Sequence, residues 1–70
     1  MKRTPVSSSN LASVGYDSAS RTLEIEFNNG YVYRYNDVSE SVHRDLMSAS
    51  SHGRYFNANI KGAYPYYKAR

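Results

Sequence analysis

Thr22-Leu23-Glu24-Ile25-Glu26-Phe27-Asn28-Asn29-Gly30-Tyr31-Val32-Tyr33-Arg34-Tyr35-Asn36 is the stretch that decides the fold of this chain. From Thr22 to Phe27 the residues alternate, with Leu23, Ile25 and Phe27 on one side and Thr22, Glu24 and Glu26 on the other. This is the pattern of a strand with one buried face. Asn28-Asn29-Gly30 is turn chemistry, and Tyr31 to Asn36 is a second run of β-forming residues, so the two runs make a hairpin. Loop length sets the register. A two-residue Asn29-Gly30 turn would pair Phe27 with Val32 and Ile25 with Arg34, driving Arg34 into the core. A three-residue loop with Gly30 in the left-handed region pairs Phe27 with Tyr31, Ile25 with Tyr33 and Leu23 with Tyr35. It also sets Glu24 opposite Arg34, a cross-strand ion pair worth about 0.2–1 kcal/mol. A one-residue slip flips every side chain, so the three-residue loop is the consistent solution.

Upstream, Ala12 to Asp17 reads as a strand with Val14 and Tyr16 on one face, and Asp17-Ser18-Ala19-Ser20 as the turn after it. Residues 1–5 read as a flexible tail. Downstream, Asp37 is placed to cap a helix from Val38 to Ala49, with Glu40 closing a capping box and Val38, Val42 and Leu46 forming an apolar stripe. A second short helix starts at Ser50 or Ser51 and turns Tyr55, Phe56 and Ile60 inward; Gly53 weakens it and Gly62 ends it. Tyr64-Pro65-Tyr66-Tyr67 is extended and could add an edge strand. The expected fold is α+β: a three-stranded antiparallel meander with one packed helix, a second short helix and an extended aromatic carboxy-terminal segment. Its core comprises Val14, Tyr16, Leu23, Ile25, Phe27, Tyr33, Tyr35, Val38, Val42, Leu46, Phe56 and Ile60.

Seventy residues suffice for one domain, 1–70. Leu, Ile, Val and Phe supply only 12 of them, whereas eight tyrosines raise the aromatic share to 14%, so folding depends on tyrosine. Without cysteine there is no disulfide framework and no thiolate metal site. No apolar run reaches the length of a membrane helix or a secretory signal, and a cytoplasmic protein is expected. Charge is uneven: +2 from Met1 to Tyr16, −3 from Asp17 to Asp45 and +4 from Leu46 to Arg70, giving the overall +3. Basic ends favour an anionic partner.

Val6-Ser7-Ser8-Ser9-Asn10, Gly15-Tyr16-Asp17, Leu23-x-Ile25-x-Phe27, Gly30-x-Val32-Tyr33-x-Tyr35-x-Asp37-Val38, Ser50, Gly53-x-Tyr55-Phe56-Asn57 and Ile60 occur here in order. Over Thr4 to Tyr67 this set resembles the KTSC domain family, whose hallmark is the Tyr-x-Tyr matched by Tyr33-Arg34-Tyr35. The family takes its name from the carboxy-terminal domain of some lysyl-tRNA synthetases and includes free-standing bacterial proteins. The resemblance implies RNA as a partner; the synthetase catalytic domain is absent from this chain.

Among the candidates for chemistry, Tyr33 and Tyr35 could stack bases, but the chosen register places them against Ile25 and Leu23. Tyr31, nearest the turn, is the one expected in solvent. The carboxy-terminal set Arg54, Lys61, Tyr66, Tyr67, Lys68 and Arg70 interleaves cations with aromatic rings, the combination that single-stranded nucleic acid requires. Asn57 and Asn59 could read base edges or terminate a helix. Ser7 to Ser9 read as a loop rather than a phosphate cradle. His43 and His52 have no ligand spacing around them and are expected at the surface, with no metal and no cofactor. Nothing marks a nucleophile elbow, a paired-carboxylate site or a phosphate loop, so the expected function is non-enzymatic. RNA binding is one expectation. The other is a protein-interaction module, docking through the tyrosine patch or a strand edge to a partner or to a second copy.

Overall fold

The computed structural model describes all 70 residues, Met1–Arg70. One antiparallel sheet contains, in chain order, β1 (Arg3–Pro5), β2 (Leu11–Asp17), β3 (Thr22–Phe27), β4 (Val32–Tyr35) and β5 (Tyr66–Lys68). Helices α1 (Glu40–Ser48) and α2 (His52–Asn59) occupy the connection from β4 to β5. The fold is thus α+β with two helices, and its sheet has five strands rather than three. β1 lies within the residues expected as a tail, where Arg3, Thr4 and Pro5 pair with Gly15, Val14 and Ser13. A three-residue strand carries no readable periodicity. The absence of a side chain at Gly15 admits it: a β-carbon there would meet Arg3 Cγ at 2.9 Å and the Lys2 carbonyl oxygen at 3.0 Å. β5 is the extended aromatic segment drawn into the ladder, with Tyr66, Tyr67 and Lys68 opposite Tyr35, Arg34 and Tyr33. Pro65, which has no N–H for a ladder, stays just outside it.

The central hairpin has the three-residue loop. Leu23 faces Tyr35, Glu24 faces Arg34 and Ile25 faces Tyr33. The Phe27 N–H donates to the Tyr31 carbonyl at 2.8 Å, and Gly30 has φ 93°. One sheet face meets the helices, and the core joins Leu11, Val14, Leu23, Ile25 and Tyr35 to Val38, Leu46, Phe56 and Ile60. Tyr16, Phe27, Tyr33 and Val42, expected inside, are half-buried at its margin. Leu11 belongs to the core because a bulge between Leu11 and Ser13 turns it onto the helix side. On the opposite face Glu24 is buried between two arginines, 3.1 Å from Arg3 Nη1 and 2.7 Å from Arg34 Nε. Val32 is buried on that face too, its N–H and carbonyl bonded to the carboxy-terminal backbone at Ala69 and Arg70.

Two local expectations are corrected. Asp37 does not cap α1, because its φ of 64° is left-handed whereas a cap residue is extended. Ser39 caps instead, its Oγ accepting from the Val42 N–H at 3.4 Å. Glu40 is therefore the first helical residue, not the third, and there is no capping box. The histidines are not simply at the surface. His52 Nδ1 donates to the Leu46 carbonyl at 2.9 Å, and His43 lies half-buried on Tyr16, with ring centroids 4.8 Å apart and planes 9° from parallel. The Tyr16 hydroxyl in turn donates to the Val38 carbonyl at 2.5 Å.

Gly53 has a reason to be glycine inside a helix. A β-carbon there would collide with Asn10 Oδ1 and lie 3.3 Å from Ser8 Oγ. In an open helix Gly→Ala gains about 1 kcal/mol. Here Gly53→Ala is expected to lower stability in denaturant melts, with amide shift changes reaching Ser8 to Leu11. Burial, opposed in part by Glu40, holds the His43 imidazole below its ordinary value of 6.5. The unfolded chain then takes up the proton first, so stability falls as pH drops through the region around and below 6.5. Melting His43→Gln across that range should show a flatter profile.

Candidate nucleic-acid interface

The register that points Tyr33 and Tyr35 at the helices also opens a groove between the β4–β5 end of the sheet and the carboxy-terminal half of α2. Its volume is about 440 Å³. Phe27, Tyr33, Tyr35 and Phe56 form its base, Tyr31 and Tyr66 stand at its sides, and Asn10, Asn29, Asn57 and Lys61 carry its polar groups. No carboxylate lines it. The base is an interlocked cluster. Phe27 meets Tyr33 and Phe56 edge to face at 5.6 and 5.5 Å, and Tyr35 meets Phe56 likewise at 5.5 Å. Tyr66 lies tilted over both Tyr33 and Tyr35, at 5.8 and 5.5 Å. Such contacts add about 0.5–1.5 kcal/mol per pair beyond area burial, so these rings are held in place rather than loosely displayed.

Electrostatics follow from that packing. Burial first, then the neighbouring Tyr66 and Tyr33, pushes the Tyr35 phenol up to about 12. It therefore stays a neutral donor and acceptor at any ordinary pH. Lys68 places its ammonium 3.8 Å from the centre of the Tyr31 ring, a cation–π contact that holds a positive charge beside the groove. Arg54, Asn57 and Lys61 follow one another along α2 and the turn after it at spacings of three and four. Arg54 thus carries the cationic track of one helix face beyond the groove itself.

The structure brings together Tyr31, Tyr33, Tyr35, Tyr66 and Lys61, with Lys68 adjoining. Tyr67 is separated from them, because alternation along β5 puts it on the opposite sheet face beside Arg34. Arg70 is exposed and joined to the sheet through its backbone at Val32. Asn57 lines the groove, whereas Asn59 Nδ2 bonds the Tyr55 carbonyl. Ser8 Oγ is consumed within its own loop, bonded to Asn10 and Leu11. Sequence reasoning missed Phe27 and Phe56 as groove residues because an apolar alternation marks them only as core. It missed Asn10 and Asn29 because turn propensity explains them fully. No group of three or more His, Cys, Asp or Glu residues is placed to hold a metal ion.

Comparison with known proteins now bears on this arrangement. The KTSC domain model matches residues 7–64. A protein of Stutzerimonas stutzeri is 46% identical over 61 residues, covering 87% of this chain and 86% of that one. The lysine–tRNA ligase of Nostoc punctiforme is 45% identical over 51 residues; that stretch is 73% of this chain but only 9% of the ligase. The crystal structure of a KTSC domain protein from Yersinia pestis superposes with a TM-score of 0.94 at 46% identity, covering 99% of this chain and 97% of that one. The chain belongs to the KTSC domain family.

Proposed function

We propose that this chain is a non-enzymatic RNA-binding module whose groove takes an unpaired base while Lys61, Lys68 and Arg54 meet the flanking phosphates. The observation that carries the proposal is a groove walled by six aromatic rings, free of carboxylates and bordered by cations. Aromatic walls bind the faces of bases whatever their sequence, and lysines neutralise the backbone. The lysine–tRNA ligase relatives favour RNA over DNA, since their similarity to this chain lies in a protein that acts with tRNA. Catalysis has little support in the groove: it contains phenols, amides and one amine, and the Tyr35 phenol is too weakly acidic to serve as a base near neutrality. No helix is long and apolar enough to cross a membrane, and a cytoplasmic location suits an RNA ligand.

A second reading is favoured by β5, which is the last strand of the sheet and leaves Tyr66 and Tyr67 57% and 48% exposed. A protein partner, or a second copy, could add a strand there. Sedimentation across a wide concentration range tests the homodimer version, and a strictly monomeric chain removes it.

The RNA proposal is tested by titrating the labelled protein with short single-stranded RNA at low and near-physiological salt. Amide shifts are expected around Tyr31, Asn57, Lys61 and Tyr66, weakening with salt. Lys61→Ala should lower the log–log salt slope by about 0.7, the value for one phosphate contact on a single strand. Tyr66→Ala, at an exposed position outside the core, should cost about 1–3 kcal/mol of binding if its ring stacks a base. Binding that ignores salt and both substitutions would remove the groove as the site.

A further inference from the structure

We infer that the groove selects bases that present carbonyl acceptors, uracil above all, because two of its three asparagine amides have their oxygens engaged and only N–H left to offer. The inference rests on the single-stranded RNA proposal and adds its chemical preference.

The locking is visible in the hydrogen bonds. Ser8 Oγ accepts from the backbone N–H of both Asn10 and Leu11, each at 3.3 Å. With its lone pairs engaged, that hydroxyl can only donate, and its partner is the Asn10 side chain at 3.1 Å. Asn10 must therefore turn Oδ1 towards Ser8 and Gly53, which leaves Nδ2 for the groove it lines. Asn29 is fixed in the same sense: its Oδ1 accepts from the Tyr31 N–H at 3.1 Å, and a backbone N–H cannot accept in return. The Asn28 N–H donates to the Asn10 carbonyl at 2.9 Å, tying the two loops into one rim.

Two amide N–H groups are thus the donors left available to a ring lying among the tyrosines. Uracil offers O2 and O4 as acceptors on either side of a single N3–H, which a tyrosine hydroxyl or the unengaged Asn57 carbonyl can receive. Adenine and cytosine carry an exocyclic amino group where uracil carries O4, so at that edge an amide N–H would meet a donor in place of an acceptor. The Ser8–Asn10 loop is held before any ligand arrives, so no amide must be reoriented on binding.

The test measures binding of the full chain to short oligo(U), oligo(A) and oligo(C) RNA by fluorescence anisotropy, with side-chain amide shifts of Asn10, Asn29 and Asn57 followed in parallel. Oligo(U) is expected to bind tighter than oligo(A) by about tenfold, the scale of one good base-edge discrimination. Asn29→Asp keeps an oxygen for the Tyr31 N–H and replaces the outward donor with an acceptor. Its added charge weakens all three ligands, so the readout is the U-to-A ratio, which should collapse towards one. Equal or tighter oligo(A) binding with shifts in the groove overturns the donor assignment and leaves RNA binding standing. So does a ratio unchanged in Asn29→Asp. Absence of binding by all three overturns both.

Discussion

Gly30, at φ 93°, sets the register on which the rest of the molecule depends. In the left-handed region a glycine meets no β-carbon penalty, and the loop it closes has three residues. With that loop Ile25 lies opposite Tyr33 and Leu23 opposite Tyr35, so the rings stand on the face that meets α1 and α2, while Arg34 stands on the other face beside Glu24. With a loop one residue shorter, the arginine would be driven into the core and the groove would lose its base. Stability and the candidate site are therefore set by one choice of register.

Each face of the sheet uses its side chains differently. On the helix side, tyrosine does the work of the aliphatic residues that the chain lacks: Tyr35 is buried in the core, Tyr33 lies half in it, and Tyr66 covers both. A phenol suits such a margin because its ring packs while its hydroxyl can stay near water. On the opposite side a carboxylate is buried between Arg3 and Arg34. Burying a charge costs free energy unless it is paired with good geometry, and here partners from the strands on both flanks of β3 supply the pairing. Arg3 reaches Glu24 only because β1 has joined the sheet over Gly15.

A third constraint joins the groove to the fold. Gly53 lies where the Ser8–Asn10 loop presses on α2, and Asn10 passes from that contact to the lining of the groove. The loop's hydrogen bonds, Gly53 and the β3–β4 turn therefore form one continuous assembly. The polar groups of the site are fixed by contacts that also hold the helix against the sheet.

Much of this was legible in the residues. Alternation and turn chemistry specified the central hairpin, its register and the Glu24–Arg34 pair, because those are local features of a half-buried strand. The family resemblance carried by the ordered motifs agrees with the domain match over residues 7–64. Tyr31, Tyr33, Tyr35, Tyr66 and Lys61 were nameable as candidates, but not their convergence. β1 is too short for any alternation to announce it, and its Arg3–Glu24 pair joins residues 21 positions apart. Asp37 and Ser39 are both good capping residues by type, and only the left-handed backbone at Asp37 decides between them. Gly53 reads as a flaw in a helix until Asn10, 43 positions earlier, is seen against it. The sequence by itself determined which residues alternate, turn and carry charge, since these follow from neighbours along the chain. Tertiary structure alone decided that β5 pairs with β4 and that Asn10, Asn29 and Asn57 meet around one groove, because those contacts join segments distant along the chain.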